Sequence, residues 1–235
     1  MIDEDDIPTG EVELEEERRA LSFADQLEFH ALVEELLQHE DTRIIDFETY
    51  KPAPDVIVST IEAGIGLTVP EAILSFFQSI SDGFDLEWSY LEEGEERPGG
   101  QIGIYNFARV FGTWLDELWG VFEDQSREDF TWEIRGFEKP VAHLNELQTV
   151  LHHNANTREF SLYYYAAHGP NFRLKVDFLE YIELLKLSRG FFGWQLLISD
   201  ADFDDFPVAA EVAERFHRVM PRLFPKDDFS RFRKA

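Results

Sequence analysis

The sequence predicts an α+β fold, a mainly antiparallel sheet flanked by helices. Three observations carry this. Helical apolar spacing dominates the first 80 residues and returns near the end, with strand-like segments between. No regular β-α-β-α alternation appears, which disfavours a doubly wound parallel sheet. Directly after Gly83 the apolar period changes from 3.6 to 2.

The elements follow in order. Residues 1–17 are acidic, with no base before Arg18, and a self-repelling block of this kind is expected to be a disordered lead-in. Residues 18–235 are expected to form a single domain with a C-terminal helical extension. Phe29, Leu32, Val33, Leu36 and Leu37 make one apolar helical stripe. Lys51-Pro52-Ala53-Pro54 breaks the chain. A short helix should run from Asp55 to about Ala63 and end at Gly64 and Gly66. Thr68 and Glu71 have the spacing of a capping box, with Pro70 in the first turn. Ile73, Phe76, Phe77 and Ile80 continue as a helix, stopped by Ser81-Asp82-Gly83.

Phe84, Leu86, Trp88 and Tyr90 then alternate with Asp85, Glu87 and Ser89, a half-buried strand. Glu92 to Gly100 reads as a polar loop, and Gln101 to about Phe107 as a second, antiparallel strand. Thr113 to Glu123 reads as helical. Phe130 to Ile134, the weaker Val141 to Leu144, and Glu159 to Ala166 read as strands. His143 to His153 fits helix or loop. Asp177 should cap a helix with Glu180 reciprocating, and Gly190 should end it. A last helix opens after Pro207, and Pro221 should bend or end it.

Charge bounds the function. Lys plus Arg is 21 against 48 Asp plus Glu, a net charge of −27. Such a surface repels nucleic acid and anionic lipid and attracts basic partners. It is also what a merely well-solvated protein would carry. Cysteine is absent, which excludes disulfides, thiolate metal sites and a cysteine nucleophile. The acidic amino terminus is the reverse of a secretory signal, and no apolar run reaches the ~20 residues of a membrane span. A cytoplasmic protein is expected, with no nucleic-acid or membrane partner and an oligomeric state left open.

Chemical signatures are scarce. There is no phosphate loop, no G-x-S-x-G and no H-E-x-x-H. His152 and His153 are adjacent and so do not share a helix face. Asp200-x-Asp202-x-Asp204 begins like a calcium loop, but Asp205 stands in place of the glycine and Phe206-Pro207 follow. No catalytic residue, metal or cofactor is assigned.

The run Ile61-Glu62-Ala63-Gly64-Ile65-Gly66-Leu67-Thr68-Val69-Pro70-Glu71, followed by Phe76-Phe77 and Ser81-Asp82-Gly83, resembles the SUKH superfamily. The Val-Pro step, the mid-helix aromatics and the Asp-Gly turn carry the likeness, and Asp177-Phe178-Leu179-Glu180-Tyr181-Ile182 is similar to the family's closing helix. The match covers about residues 55–110 and, more loosely, 159–190. It implies a non-catalytic α+β domain. Many bacterial members are immunity proteins that neutralise toxins, often nucleases or deaminases; fungal relatives are regulatory hubs. The family supplies no active-site residues to transfer.

Three functions remain in view. The first is an immunity-type inhibitor of a basic toxin. The second is a regulatory or scaffolding module with an endogenous partner, and the third a carboxylate-dependent hydrolase. For the first, the contact candidates are Glu92, Glu93, Glu95 and Glu96, the cluster Asp202, Asp204 and Asp205, and Trp88 or Tyr90 as aromatic anchors. The alternating pattern also reads Trp88 as core.

Overall fold

The computed structural model describes residues 23–113, 134–141, 147–154, 157–165 and 171–234, with side chains of the first helix from Phe29 onward. Helix α1 (Phe23–Gln38) leads into strand β1 (Thr42–Thr49). Phe29, Leu32, Val33 and Leu36 are buried, but Leu37, assigned to the same stripe, is 65% exposed. Thr42 turns the chain back by donating its hydroxyl to the Leu36 carbonyl at 2.5 Å.

Helix α2 (Asp55–Ile65) ends at Gly66, which takes φ 65° and donates its N–H to the Glu62 carbonyl. The expected capping box at Thr68 and Glu71 is not formed. Helix α3 (Glu71–Ser75) starts directly after Pro70, without a side-chain cap. The Glu62 carboxylate instead accepts the Val69 N–H from the preceding helix, at 2.9 Å. The expected continuous helix through Ile80 is also corrected: Phe76–Ile80 is a π turn, closed by Ser81 N–H on the Phe76 carbonyl. Widening the turn frees the Phe77 carbonyl, which Ala53 N–H takes at 2.7 Å. Phe76 and Phe77 are thereby both buried, edge to face with Phe137.

Strands β2 (Phe84–Glu92) and β3 (Glu95–Ile104) form a hairpin, and β1 pairs with β2, giving an antiparallel sheet of order β1-β2-β3. The polar loop expected over Glu92–Gly100 is in fact mostly strand. Only Glu93 and Gly94 turn, both at positive φ (54° and 83°), the pattern whose twist matches a two-residue hairpin. Tyr105–Phe107, read as strand, lies beyond β3.

A π turn (Arg109–Thr113) follows. Most of the helix expected over Thr113–Glu123, and the strand over Phe130–Ile134 apart from Ile134, lie outside the described residues. A second antiparallel sheet contains β4 (Ile134–Gly136), β5 (Gln148–His153), β6 (Phe160–Tyr165) and β7 (Asn171–Arg173) in that order. The segment read as helix or loop is therefore a strand from Gln148 onward. Val141 makes only an isolated bridge to Leu147; residues 142–144 lie outside the described residues.

Helix α4 (Phe178–Ser188) is capped by the Asp177 carboxylate, which accepts from Glu180 N–H. The reciprocal half of that box is replaced: Glu180 receives Arg231 at 2.7 Å. A 3-10 turn (Trp194–Ile198) precedes helix α5 (Pro207–Leu223), which carries Pro221 within its last turn. Buried side chains from Phe29 to Phe232 make one contiguous cluster under both sheets. No helix among the described residues is long and apolar enough to cross a membrane.

Candidate partner-binding face

Trp88 and Tyr90 are fully buried, so neither is an exposed anchor. Trp88 lies over Gly99 and Gly100, where an added Cβ would come within 2.3 Å of its ring and 2.7 Å of its Nε1. Its indole N–H donates to the Arg189 carbonyl at 2.7 Å. Tyr90 is held among core groups, and burial, then the charge of Glu92, pushes its hydroxyl above the usual phenol range.

The acidic residues expected at the hairpin are partly committed. Glu92 pairs with Arg218 of α5. Glu95 pairs with Arg97 at 2.5 Å. Glu96 accepts the Ser89 hydroxyl at 2.5 Å and stands 3.9 Å from Arg43. Glu93 is exposed at the turn. Asp202 caps the turn before α5 by accepting Asp204 N–H at 2.9 Å, and Asp204 and Asp205 are exposed. From Pro207, at the start of α5, to Arg218 is 11 positions, about 17 Å along the helix axis. The two acidic groups therefore lie near opposite ends of α5 and do not converge on one point.

A different acidic surface is assembled by strand register. Residues opposite one another in neighbouring strands share a face. Thr49, Phe47 and Ile44 stand opposite Phe84, Leu86 and Trp88 on the core side. Glu48 stands opposite Asp85, and Asp46 opposite Glu87, on the other side. Leu91 opposite Glu96 extends that outer face toward the hairpin. Five carboxylates (Asp46, Glu48, Asp85, Glu87 and Glu96) thus share it with Arg43 and Lys139. Lys139 reaches Asp85 at 2.5 Å, and its side-chain carbons lie 3.1 Å from where a Gly103 Cβ would stand. Tyr50 stands beside this face: its hydrogen bond to Glu48, then desolvation, then the charges of Glu48, Asp85 and Asp46, hold the phenol above its usual range. Beside the face, Glu40, Asp41, Arg43, Tyr90, Leu91 and Glu96 line a depression of about 290 Å³.

Sequence reasoning missed this face because it missed β1. Thr-Arg-Ile-Ile-Asp-Phe-Glu-Thr is rich in strand formers, but a bulge between Ile44 and Asp46 interrupts the two-residue period. The usable signal was composition, not alternation.

Two carboxyls are raised by burial. Asp82 is raised by burial and accepts Phe107 N–H at 2.6 Å. Glu138 is wholly buried and raised by that burial; its Oε2 accepts the Thr149 hydroxyl, the Tyr181 hydroxyl and the Gln195 amide at 2.6, 2.6 and 2.9 Å. Each ties backbone or core groups together. Among the described residues no cluster of three or more His, Cys, Asp or Glu side chains has the arrangement of a metal site. No family model, curated protein or solved structure matches the chain.

Proposed function

We propose that this chain is a non-catalytic binding protein whose partner is a basic protein, and that it acts as an immunity-type inhibitor of a toxin such as a nuclease. The observation that carries the reading is the outer face of the first sheet, where five carboxylates meet two cations. Like charges directly opposite in a sheet cost roughly 0.2–1 kcal/mol each. One such pair, Asp46 with Glu87, is a standing cost that a cationic partner removes on binding, while the second, Glu48 with Asp85, is already partly offset by Lys139. A nuclease is basic because its substrate is anionic, so an acidic inhibitor gains in encounter rate and in register. The SUKH-like motifs support the same reading, and a cytoplasmic site of action is part of the proposal.

The test is co-expression with a basic toxin, the first candidate being any that is found encoded next to this gene. Growth rescued by the wild-type chain supports the inhibitor; growth unaffected by its presence defeats it. Association rate should fall steeply as salt shortens the Debye length from about 30 Å at 0.01 M toward 8 Å at 0.15 M.

A further inference from the structure

The two edges of the first sheet are treated differently. The β3 edge is covered: Gln101 N–H reaches the Gly190 carbonyl, Phe192 N–H the Gly99 carbonyl, Lys139 N–H the Gly103 carbonyl and Tyr105 N–H the Phe137 carbonyl, all between 2.7 and 3.1 Å. The β1 edge has no paired strand among the described residues. Tyr50 N–H is given to the Gly83 carbonyl. The alternation of an antiparallel ladder then turns the amides of Phe47 and Thr49 away from β2. Every residue from Ile45 to Thr49 is exposed, with Ile45 at 54% and Phe47 at 38%.

Edges of this kind are ordinarily guarded by charged side chains, proline or bulges. β1 has neither lysine nor proline, but it has the bulge between Ile44 and Asp46 and three charges, Arg43, Asp46 and Glu48. Asp46 and Glu48 meet like charge if two copies of β1 pair about Phe47. The same two carboxylates suit a strand of opposite sign. We infer that β1 is the docking edge for an extended segment of the partner carrying Lys or Arg at alternate positions, added as a further strand of the sheet. The cations of that segment lie over the outer face, beside Asp46 and Glu48. Its intervening apolar residues lie on the Phe47 side, and a cation near its end meets Glu40 and Glu96 in the depression. Main-chain bonds then supply affinity, and the alternation supplies specificity. This inference rests on the cationic-partner reading above and adds the surface and the mode of binding.

The experiment uses the full chain and two synthetic nine-residue peptides of alternating lysine and valine. One is unmodified; the other has every second backbone amide methylated, which keeps the charge and removes strand pairing. The unmodified peptide should bind about tenfold or more tighter, the scale of a few lost hydrogen bonds. It should also slow hydrogen exchange at Phe47 and Thr49. The double substitution Asp46→Asn, Glu48→Gln should weaken it about tenfold while leaving the thermal midpoint equal or higher, which separates lost binding from lost folding. Equal binding of the two peptides, or protection appearing elsewhere, overturns strand addition and leaves the cationic-partner reading intact. Binding of neither overturns both.

Discussion

Replacing Glu138 by Gln should change how stability depends on pH, more than stability itself. The carboxyl is fully buried, and one oxygen collects three donors while Oε1 has no hydrogen-bond partner among the described residues. Burial outweighs those donors, so the folded state holds the proton above the ordinary glutamate range. The sign follows from linkage. A group protonated more in the folded than in the unfolded chain contributes fully below its unfolded pKa, about 4.3, and loses that contribution as pH rises toward its folded pKa. Glutamine keeps the shape and one acceptor, and does not titrate. The wild-type stability minus that of Glu138→Gln should therefore fall with rising pH, by at most about 1.4 kcal/mol per unit. Urea unfolding of both proteins from pH 4.5 to 8, followed by tryptophan fluorescence, measures the difference. Taking the difference cancels the other acidic groups. Parallel curves across that range would refute the argument, since Glu138 would then titrate alike in both states. Glu138→Ala should cost far more: Thr149 and Tyr181 can still bond each other at 2.8 Å, but about two donors are stranded, roughly 2–6 kcal/mol.

Three further outcomes are expected. Gly100→Ala forces a Cβ to 2.4 Å from the Gly190 carbonyl oxygen, and should lower the urea midpoint by the equivalent of about 1–3 kcal/mol, the cost of overpacking. Arg189→Ala removes a side chain only 6% exposed that pairs with Glu35, stands 2.8 Å from Asp227 and lies 3.7 Å over the Phe224 ring; because Glu35 and Asp227 are partly solvated and can rehydrate, the loss should be about 2 kcal/mol, below that of a fully buried pair. Asp46→Lys turns the like-charge pair with Glu87 into an opposite one, and should raise stability by roughly 0.2–1 kcal/mol in low salt while weakening capture of a basic partner; equal affinity of variant and wild type would remove the outer face from the interface.

The fold was legible where apolar spacing and punctuation agreed. Phe84 to Tyr90 and Phe178 to Leu185 each kept one period, and both elements stand where the pattern puts them. Legibility failed where tertiary contacts replaced local ones. Thr68 does not cap because the helix starts two residues later than the box requires, with Pro70 at the N-cap position, and the Val69 N–H goes to Glu62 of the preceding helix. The Phe76–Ile80 turn widened because Ala53 offered a donor from another segment. Glu95 to Gly100 looked like loop because Pro98 and two glycines suggest one, yet the glycines exist to let Trp88 lie flat on the strand. The acidic face was least legible of all. Its members are separated by about forty positions in sequence, and only the β1–β2 register brings Asp46 to Glu87. An abundance of acid could be counted from composition, but which acids stand together is a property of pairing.

The cover over β3 ties the order of synthesis to the order of folding. Residues 84–104 can close their hairpin soon after they emerge, but the groups that seal its far side arrive with Phe137–Lys139 and finally with Gly190–Phe192. Until then a nascent chain presents two raw sheet margins instead of one. Truncations before residue 190 should accordingly reveal themselves as aggregation through the hairpin, far in sequence from the cut.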